Sequence, residues 1–339
     1  MIKKLILALI ILVIAAAAYA YYTVAVAPVT PNQPTTITIP TGSSYDQVLD
    51  TLAAAGIQPN KALFNALADR MAYRREKMRP GRYEIAPNLS TLDLIRRLRS
   101  GKRGTANVVL TTEWKPENVA AKAARFLEPD SVAFVTLMQN EAYLDSLGYT
   151  PATLQTLFIP NTYELYWHAT PRDFMDRMVV EHGKFWDANN RRAKAETLGL
   201  TLPEIYTVAS IVEKESLVAD ERPTIAGVYL NRLERGMLLQ ADPTVVFAHG
   251  LRGLSRVLYS HLELDSPYNT YKYPGVPPGP ITIASPGSID AVLEPKLHDY
   301  LYFCAIGDGS GRHAFAETTA GHARNIAVYK ANLRRRGIR

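Results

Sequence analysis

The sequence predicts an α+β protein in three parts: an N-terminal helix able to cross a membrane, a small β-α-α-β-α unit, and a larger unit mixing helices with short strands. Three observations carry this. Directly after Lys3-Lys4, the chain has no charged residue from Leu5 to Ala27. Through residues 35–103, short β-prone runs alternate with capped helices of apolar periodicity. A basic, glycine-containing stretch, "SGKRGTAN" near 100–107, then separates the small unit from residues 106–339.

The uncharged span is long enough for a hydrocarbon core of roughly 30 Å at about 1.5 Å per helical residue. Lysines before such a span stay on the cytoplasmic side, which puts the chain beyond about residue 28 outside, and Tyr19, Tyr21 and Tyr22 suit the interface. Residues 1–27 are therefore expected to be an uncleaved single-pass anchor in the cytoplasmic (inner) membrane. A cleaved signal peptide competes with this reading, because Ala18-Tyr19-Ala20 resembles a cleavage site, but apolarity continues past it. Residues 28–34 begin a Pro- and Thr-rich spacer.

In the small unit, "TTITIP" reads as a strand. "SSYDQVLDTLAAAG" reads as a helix with Ser44 as N-cap and Gly56 as terminator. "NKALFNALADRM" is a second helix, "GRYEIAP" a second strand, and "STLDLIRRLRSG" a third helix between Ser90 and Gly101. In the larger unit, "NVVLTTE" predicts a strand, helical runs follow near 116–127 and 130–145, and one or two polar helices occupy 171–198. In "LFIPNTYELYW", Pro160, Asn161 and Thr162 mark a turn, while Tyr163, Tyr166 and Trp167 offer faces for a sugar or for core packing.

Composition narrows the function classes. A chain of 339 residues, 47% hydrophobic and 21% charged, can build a sizeable core. The net charge of +6 is spread over separated basic clusters, which read as solvated faces rather than a nucleic-acid surface. The single Cys304, in the strand-like "LYFCAI", cannot form an internal disulfide and reads as a buried small hydrophobe. No H-E-x-x-H or phosphate-loop motif occurs, and His249, His261, His298, His313 and His322 lack tight ligand spacing, so neither metal nor cofactor is expected.

The stretch "YTVASIVEKES" carries the chemistry. Thr201 to Glu204 fits a capping box with Pro203 in the first turn, so a helix should run through Glu215. At about 100° per residue, Ile205, Val208, Ala209 and Val212 form one buried stripe. Glu215 flanks it, Glu213 lies about 200° away, and Lys214 points to solvent. A glutamate at an apolar edge loses solvation of its charged form and can hold a proton near neutral pH; a surface glutamate or a core-edge ion pair is the alternative. Further on, "RPTIAGVYLNRLERG" is an amphipathic helix, and "MLLQADPTVVFA" brings Gln240, Asp242 and Thr244 to a turn at Pro243. "DSPYNTYKYPGVPPGPI" sets Asn269 and Thr270 among Tyr268, Tyr271 and Tyr273, a loop suited to a carbohydrate or to a rigid structural role.

With "SPGSIDA" and "YLYFCAIGDGSGRHAF", these segments in this order, after one membrane segment, resemble the endolytic murein transglycosylases, the peptidoglycan terminase or YceG-like family, over most of residues 35–330. The resemblance implies a LysM-like module at 35–103 and a catalytic domain at 106–339. Its catalytic glutamate, the second acid of the E-K-E triplet, falls on Glu215. The implied reaction is lytic cleavage of nascent peptidoglycan strands between N-acetylmuramic acid and N-acetylglucosamine, leaving 1,6-anhydro ends and terminating elongation. Gln240, Asp242, Tyr268, Asn269 and Tyr271 would hold the glycan, and Glu213 would organise the helix end. Peptidoglycan synthases, the penicillin-binding proteins, become candidate partners. The chain departs from the family at Glu113-Trp114-Lys115, in place of a glycine-containing "EGW" type segment, and at Asn161, in place of the acid of an "FPDTY" type segment. A non-catalytic peptidoglycan-binding scaffold and a water-using muramidase, with Asp242 as second acid, are the competing expectations.

Overall fold

The structure, a computed structural model, describes residues 2–101, 104–251 and 257–338. Lys102 and Arg103, the basic pair of the expected link, lie outside the described residues. Helix α1 (Ile2–Ala25) is 24 residues long, exposes its apolar side chains all round, and is long and apolar enough to cross a membrane. The chain divides into two compact units: residues 1–107 with 126–129 and 164–170, and residues 108–125, 130–163 and 171–339.

The first unit follows the order β1 (Thr35–Ile39), α2 (Tyr45–Ala54), α3 (Lys61–Arg70), β2 (Gly81–Ile85), α4 (Thr91–Ser100). β1 and β2 pair antiparallel with Ile37 opposite Tyr83. Period-2 alternation buries Ile37, Ile39, Tyr83 and Ile85 against Val48, Leu52, Phe64, Leu94 and Leu98. The helix ends are set locally. Ser44 and Gln47 form a capping box, Ser90 accepts from the Asp93 N–H, and Gly101 closes α4 at φ 65°, where a side chain would be strained.

The remaining elements are β3 (Thr105–Leu110), α5 (Pro116–Ala123), α6 (Ser131–Met138), α7 (Glu141–Ser146), β4 (Asn161–Tyr166), α8 (Pro171–Asp187), α9 (Arg191–Leu198), α10 (Leu202–Glu215), α11 (Arg222–Glu234), α12 (Asp242–Ala248), α13 (Pro286–Leu293), β5 (Tyr302–Ala305), β6 (His313–Ala316) and α14 (Thr319–Arg335). β5 and β6 pair antiparallel, with Phe303 opposite Phe315.

Three expectations about turns and helix ends change. The helical run at 130–145 is two helices, because Asn140 interrupts it and caps α7 by accepting from the Tyr143 N–H at 3.0 Å. The expected turn at Pro160-Asn161-Thr162 leads straight into β4, which begins at Asn161; Tyr163 there is buried, donating to the Ile159 carbonyl at 2.5 Å, while Tyr166 is exposed. The expected turn at Pro243 is the first turn of α12, where a proline's missing N–H costs nothing.

Helix α10 is the core of the second unit. Every residue from Ile205 to Val212 is buried, so the single stripe expected from periodicity is too narrow: α9, α11, α12 and α13 enclose the helix on all sides. Its polar residues suspend the loop ahead of α13. Tyr206 donates to the Phe158 carbonyl at 2.6 Å and accepts from the Ala284 N–H at 3.2 Å, and Ser210 Oγ accepts from the Ile281 N–H at 3.0 Å. In that loop a Cβ on Gly279 would stand 2.0 Å from the Ala152 carbonyl oxygen, so the Pro-Pro-Gly-Pro run depends on glycine for close approach.

Candidate active site

The two carboxylates at the end of α10 have different surroundings. Glu213 is saturated with donors. Its Oε2 accepts from the Ser285 N–H at 3.2 Å, from Ser285 Oγ, from Ser288 Oγ at 2.6 Å and from Arg222 Nη1 at 3.2 Å, while Oε1 faces Arg222 Nη2 at 3.4 Å. Ser285 is also the N-cap of α13, so this carboxylate sits at a helix N-terminus and ties α10 to α11 and α13. A carboxylate so placed, with Oε2 crowded by donors and both oxygens facing Arg222, is a structural bracket.

Among the described residues, Glu215 makes one hydrogen bond, Tyr229 Oη donating to its Oε1 at 2.6 Å. The residue keeps some exposure to a cleft, while its carboxyl group is packed round by protein; the second governs the proton. Burial pushes its pKa up to about 7, the Tyr229 bond opposes that rise, the negative charge of Asp242 adds to it, and Arg232 opposes it. The carboxyl is thus poised to donate and take back a proton near neutral pH.

The cleft holds about 500 Å³ and is walled by α10, α11, α12, the β5–β6 hairpin and α14. That volume is of the order that small-molecule sites occupy, ~300–1,000 Å³. On one side Asp242, exposed at the start of α12, accepts from Tyr271 Oη at 2.5 Å. Gln240 precedes it in a left-handed conformation, φ 52°, uncommon for a residue with a side chain. That geometry is held by the Gln240 N–H donating to the Thr270 carbonyl at 3.0 Å and by Arg232 Nη1 reaching Gln240 Oε1 at 3.3 Å. Arg232 is buried; its Nε donates to the Leu301 carbonyl, and Nη1 also donates to the carbonyls of Leu238 and Leu239.

The opposite wall is aromatic and imidazole-rich. Tyr302 stacks on His322 with ring centroids 5.3 Å apart, and Phe303 meets Tyr229 edge-on at 5.9 Å. His313 Nδ1 lies 3.0 Å from Glu221, a carboxylate 8% exposed. Cys304, expected to be buried, is half-buried in this wall because the two-stranded hairpin is too small to cover both of its faces.

Of the predicted site residues, Glu215, Gln240, Asp242 and Tyr271 share the cleft. Tyr268 and Asn269 do not line it. Asn269 is fully buried, donating to the Leu262 and Leu264 carbonyls at 2.8 and 2.7 Å and accepting from the Tyr271 N–H, so it shapes the loop that presents Tyr271. Tyr268 packs on Phe247, with centroids 4.9 Å apart. Sequence reasoning missed Tyr229, Arg232, Tyr302, His313 and His322. Tyr229 carried a usable signal: a tyrosine amid the small and apolar residues of "IAGVYL" must find a partner for its hydroxyl once buried.

A single carboxyl with a raised pKa, set in a polar cleft with aromatic faces, is the arrangement of a site for general acid–base chemistry. Residues 37–328 match the YceG-like family, and the chain belongs to it. Among curated relatives, it is 29% identical over 326 residues to an endolytic murein transglycosylase of Streptococcus pneumoniae, covering 87% of this chain and 58% of the relative. It is 29% identical over 303 residues to the endolytic murein transglycosylase of Bacillus subtilis, covering 84% and 82%. The chain thus spans little more than half the length of the pneumococcal relative. The crystal structure of a YceG-like protein from Listeria monocytogenes superposes with a TM-score of 0.56 at 27% identity, over 86% of this chain and 99% of that one.

Proposed function

We propose that the chain is an endolytic lytic transglycosylase that cuts nascent peptidoglycan glycan strands between N-acetylmuramic acid and N-acetylglucosamine, leaving 1,6-anhydro ends and terminating elongation. The observation that carries the reading is the isolation of one proton-bearing carboxyl, Glu215, in a cleft whose other nearby acid, Asp242, is held by Tyr271. Glu215 protonates the glycosidic oxygen as its bond to C1 of the muramic sugar breaks. The C6 hydroxyl oxygen of that sugar then bonds to C1 and returns its proton to Glu215. Water is not consumed, and one carboxyl serves as acid and then base, unlike the two-carboxyl glycosidases.

In this reading α1 is the membrane anchor, with the catalytic unit on the outer, periplasmic side. The β-α-α-β-α unit engages the glycan as a LysM-like module, and peptidoglycan synthases are the candidate partners. Gln240, Asp242 and Tyr271 hold the strand from the cleft wall, while Tyr268 and Asn269 support the loop bearing Tyr271. A water-using muramidase is the second reading, favoured by the electrostatic coupling of Asp242 to Glu215. Mass spectrometry of un-crosslinked strands incubated with the full chain separates the two. Internal cuts with anhydro ends support the lytic reading, reducing ends heavier by one water support the muramidase, and intact strands refute both.

A further inference from the structure

We infer that Tyr229 is a positioning residue of the reaction: its hydroxyl holds Glu215 by Oε1, so that the exchangeable proton resides on Oε2, the oxygen that meets the glycosidic bond. The inference rests on the proposed acid–base role of Glu215. Tyr229 is 1% exposed, and its ring is fixed edge-on to Phe303. Its hydroxyl points at Glu215 Oε1 from 2.6 Å and has no other hydrogen-bond partner among the described residues. Burial, with the neighbouring Glu215 charge, raises the Tyr229 pKa well above its ordinary value, so the phenol stays a donor throughout the working pH range.

A donor committed to one oxygen does two things to a carboxyl. It removes that oxygen as a site for the proton, which orients the acid. It also binds the carboxylate more strongly than the neutral acid, so the bond tightens as Glu215 gives up its proton and negative charge develops. The other groups facing Glu215 have different duties. Arg232 of α11 donates from Nε and Nη1 to backbone carbonyls and lowers the Glu215 pKa through its charge, and Asp242 of α12 repels the charge while tied to Tyr271. On the hairpin and α14, His313 is bound to Glu221, and His322 has its pKa lowered by burial and by Arg232. Lys330 of α14 is an exposed part of the cleft wall. Among the described residues, Tyr229 alone of these groups hydrogen-bonds the acid.

The test uses the full chain carrying Tyr229→Phe, with the pH profile of kcat and a direct titration of the Glu215 carboxyl, read by difference infrared against Glu215→Gln. The expected result is a kcat lower by about 10–100-fold. The alkaline limb and the carboxyl titration should both move up by about one pH unit, the scale of one hydrogen bond to a charged acceptor. An unmoved limb and titration overturn the inference, whatever happens to the rate. Should Tyr229→Phe melt far below the parent, 3-fluorotyrosine at 229 keeps the ring and sharpens the donor; the limb should then move down, and an unmoved limb overturns the inference. The carboxyl titration needs no substrate, so it judges Tyr229 separately from the reaction. Wild-type cleavage by Glu215→Gln would instead sink the assignment of Glu215.

Discussion

Replacing Glu215 by Gln should disable the chemistry and stabilise the fold in alkaline solution, two effects with one cause. The glutamine amide keeps an oxygen for Tyr229 Oη at the 2.6 Å contact but carries no titratable proton. Cleavage should fall by roughly 10²–10⁴-fold, the scale of lost general acid–base catalysis. The stability change follows from linkage. The folded pKa of about 7 lies above the ordinary 4.5, so the folded state binds the proton more tightly and its advantage is complete below pH 4.5. That advantage is lost as pH rises through 7. At about 1.4 kcal/mol per tenfold change in proton affinity, the wild type forfeits about 3 kcal/mol between these limits, and the Gln variant does not. For a unit of this size, thermal melting of Glu215→Gln relative to wild type should therefore improve by roughly 6–10 °C from pH 4 to pH 8. Equal melting differences at both pH values would refute the claim that burial holds the proton. A folded variant with near-normal turnover would refute the catalytic role.

Other perturbations test the remaining parts. Glu213→Gln leaves Arg222 without its counter-charge and should destabilise the protein by about 3 kcal/mol in denaturant titration, with a smaller loss of cleavage than Glu215→Gln, because the bracket acts on the helix end and not on the substrate. Gly279→Ala should lower the melting temperature by several degrees, as its Cβ would drive the loop off the Ala152 carbonyl. A reporter fused at the C-terminus should read as periplasmic and sediment with membranes; a mature chain beginning near Tyr21 would show that α1 is a signal sequence. Deleting residues 35–103 should leave a cooperative melting transition in the rest of the chain and weaken its pull-down by long glycan strands; loss of the transition would mean the boundary is misplaced.

The sequence by itself determined the local elements whose causes are local. The caps at Ser44, Ser90 and Thr201, the left-handed stop at Gly101 and the alternation of β1 and β2 depend on neighbours within a few residues, and each is where its pattern placed it. The end of α10 at Glu215, and the outward direction of Lys214, followed from helical periodicity and the cap alone. Tertiary structure decided the rest. Which of Glu213 and Glu215 became the tied carboxylate depended on Ser285 and Ser288 arriving from more than seventy residues away, which no spacing within the helix encodes. The raised proton affinity of Glu215 likewise came from its burial among other elements of the unit and from the charge of Asp242 on another helix, against the opposing Tyr229 bond. Periodicity reports which side of a helix is apolar, but α10 is enclosed on every side, so only its packing could show that the cleft opens at its last turn. The donors and charges that distinguish an acid catalyst from a structural anion act over a few ångströms in space, and the fold alone brings them there.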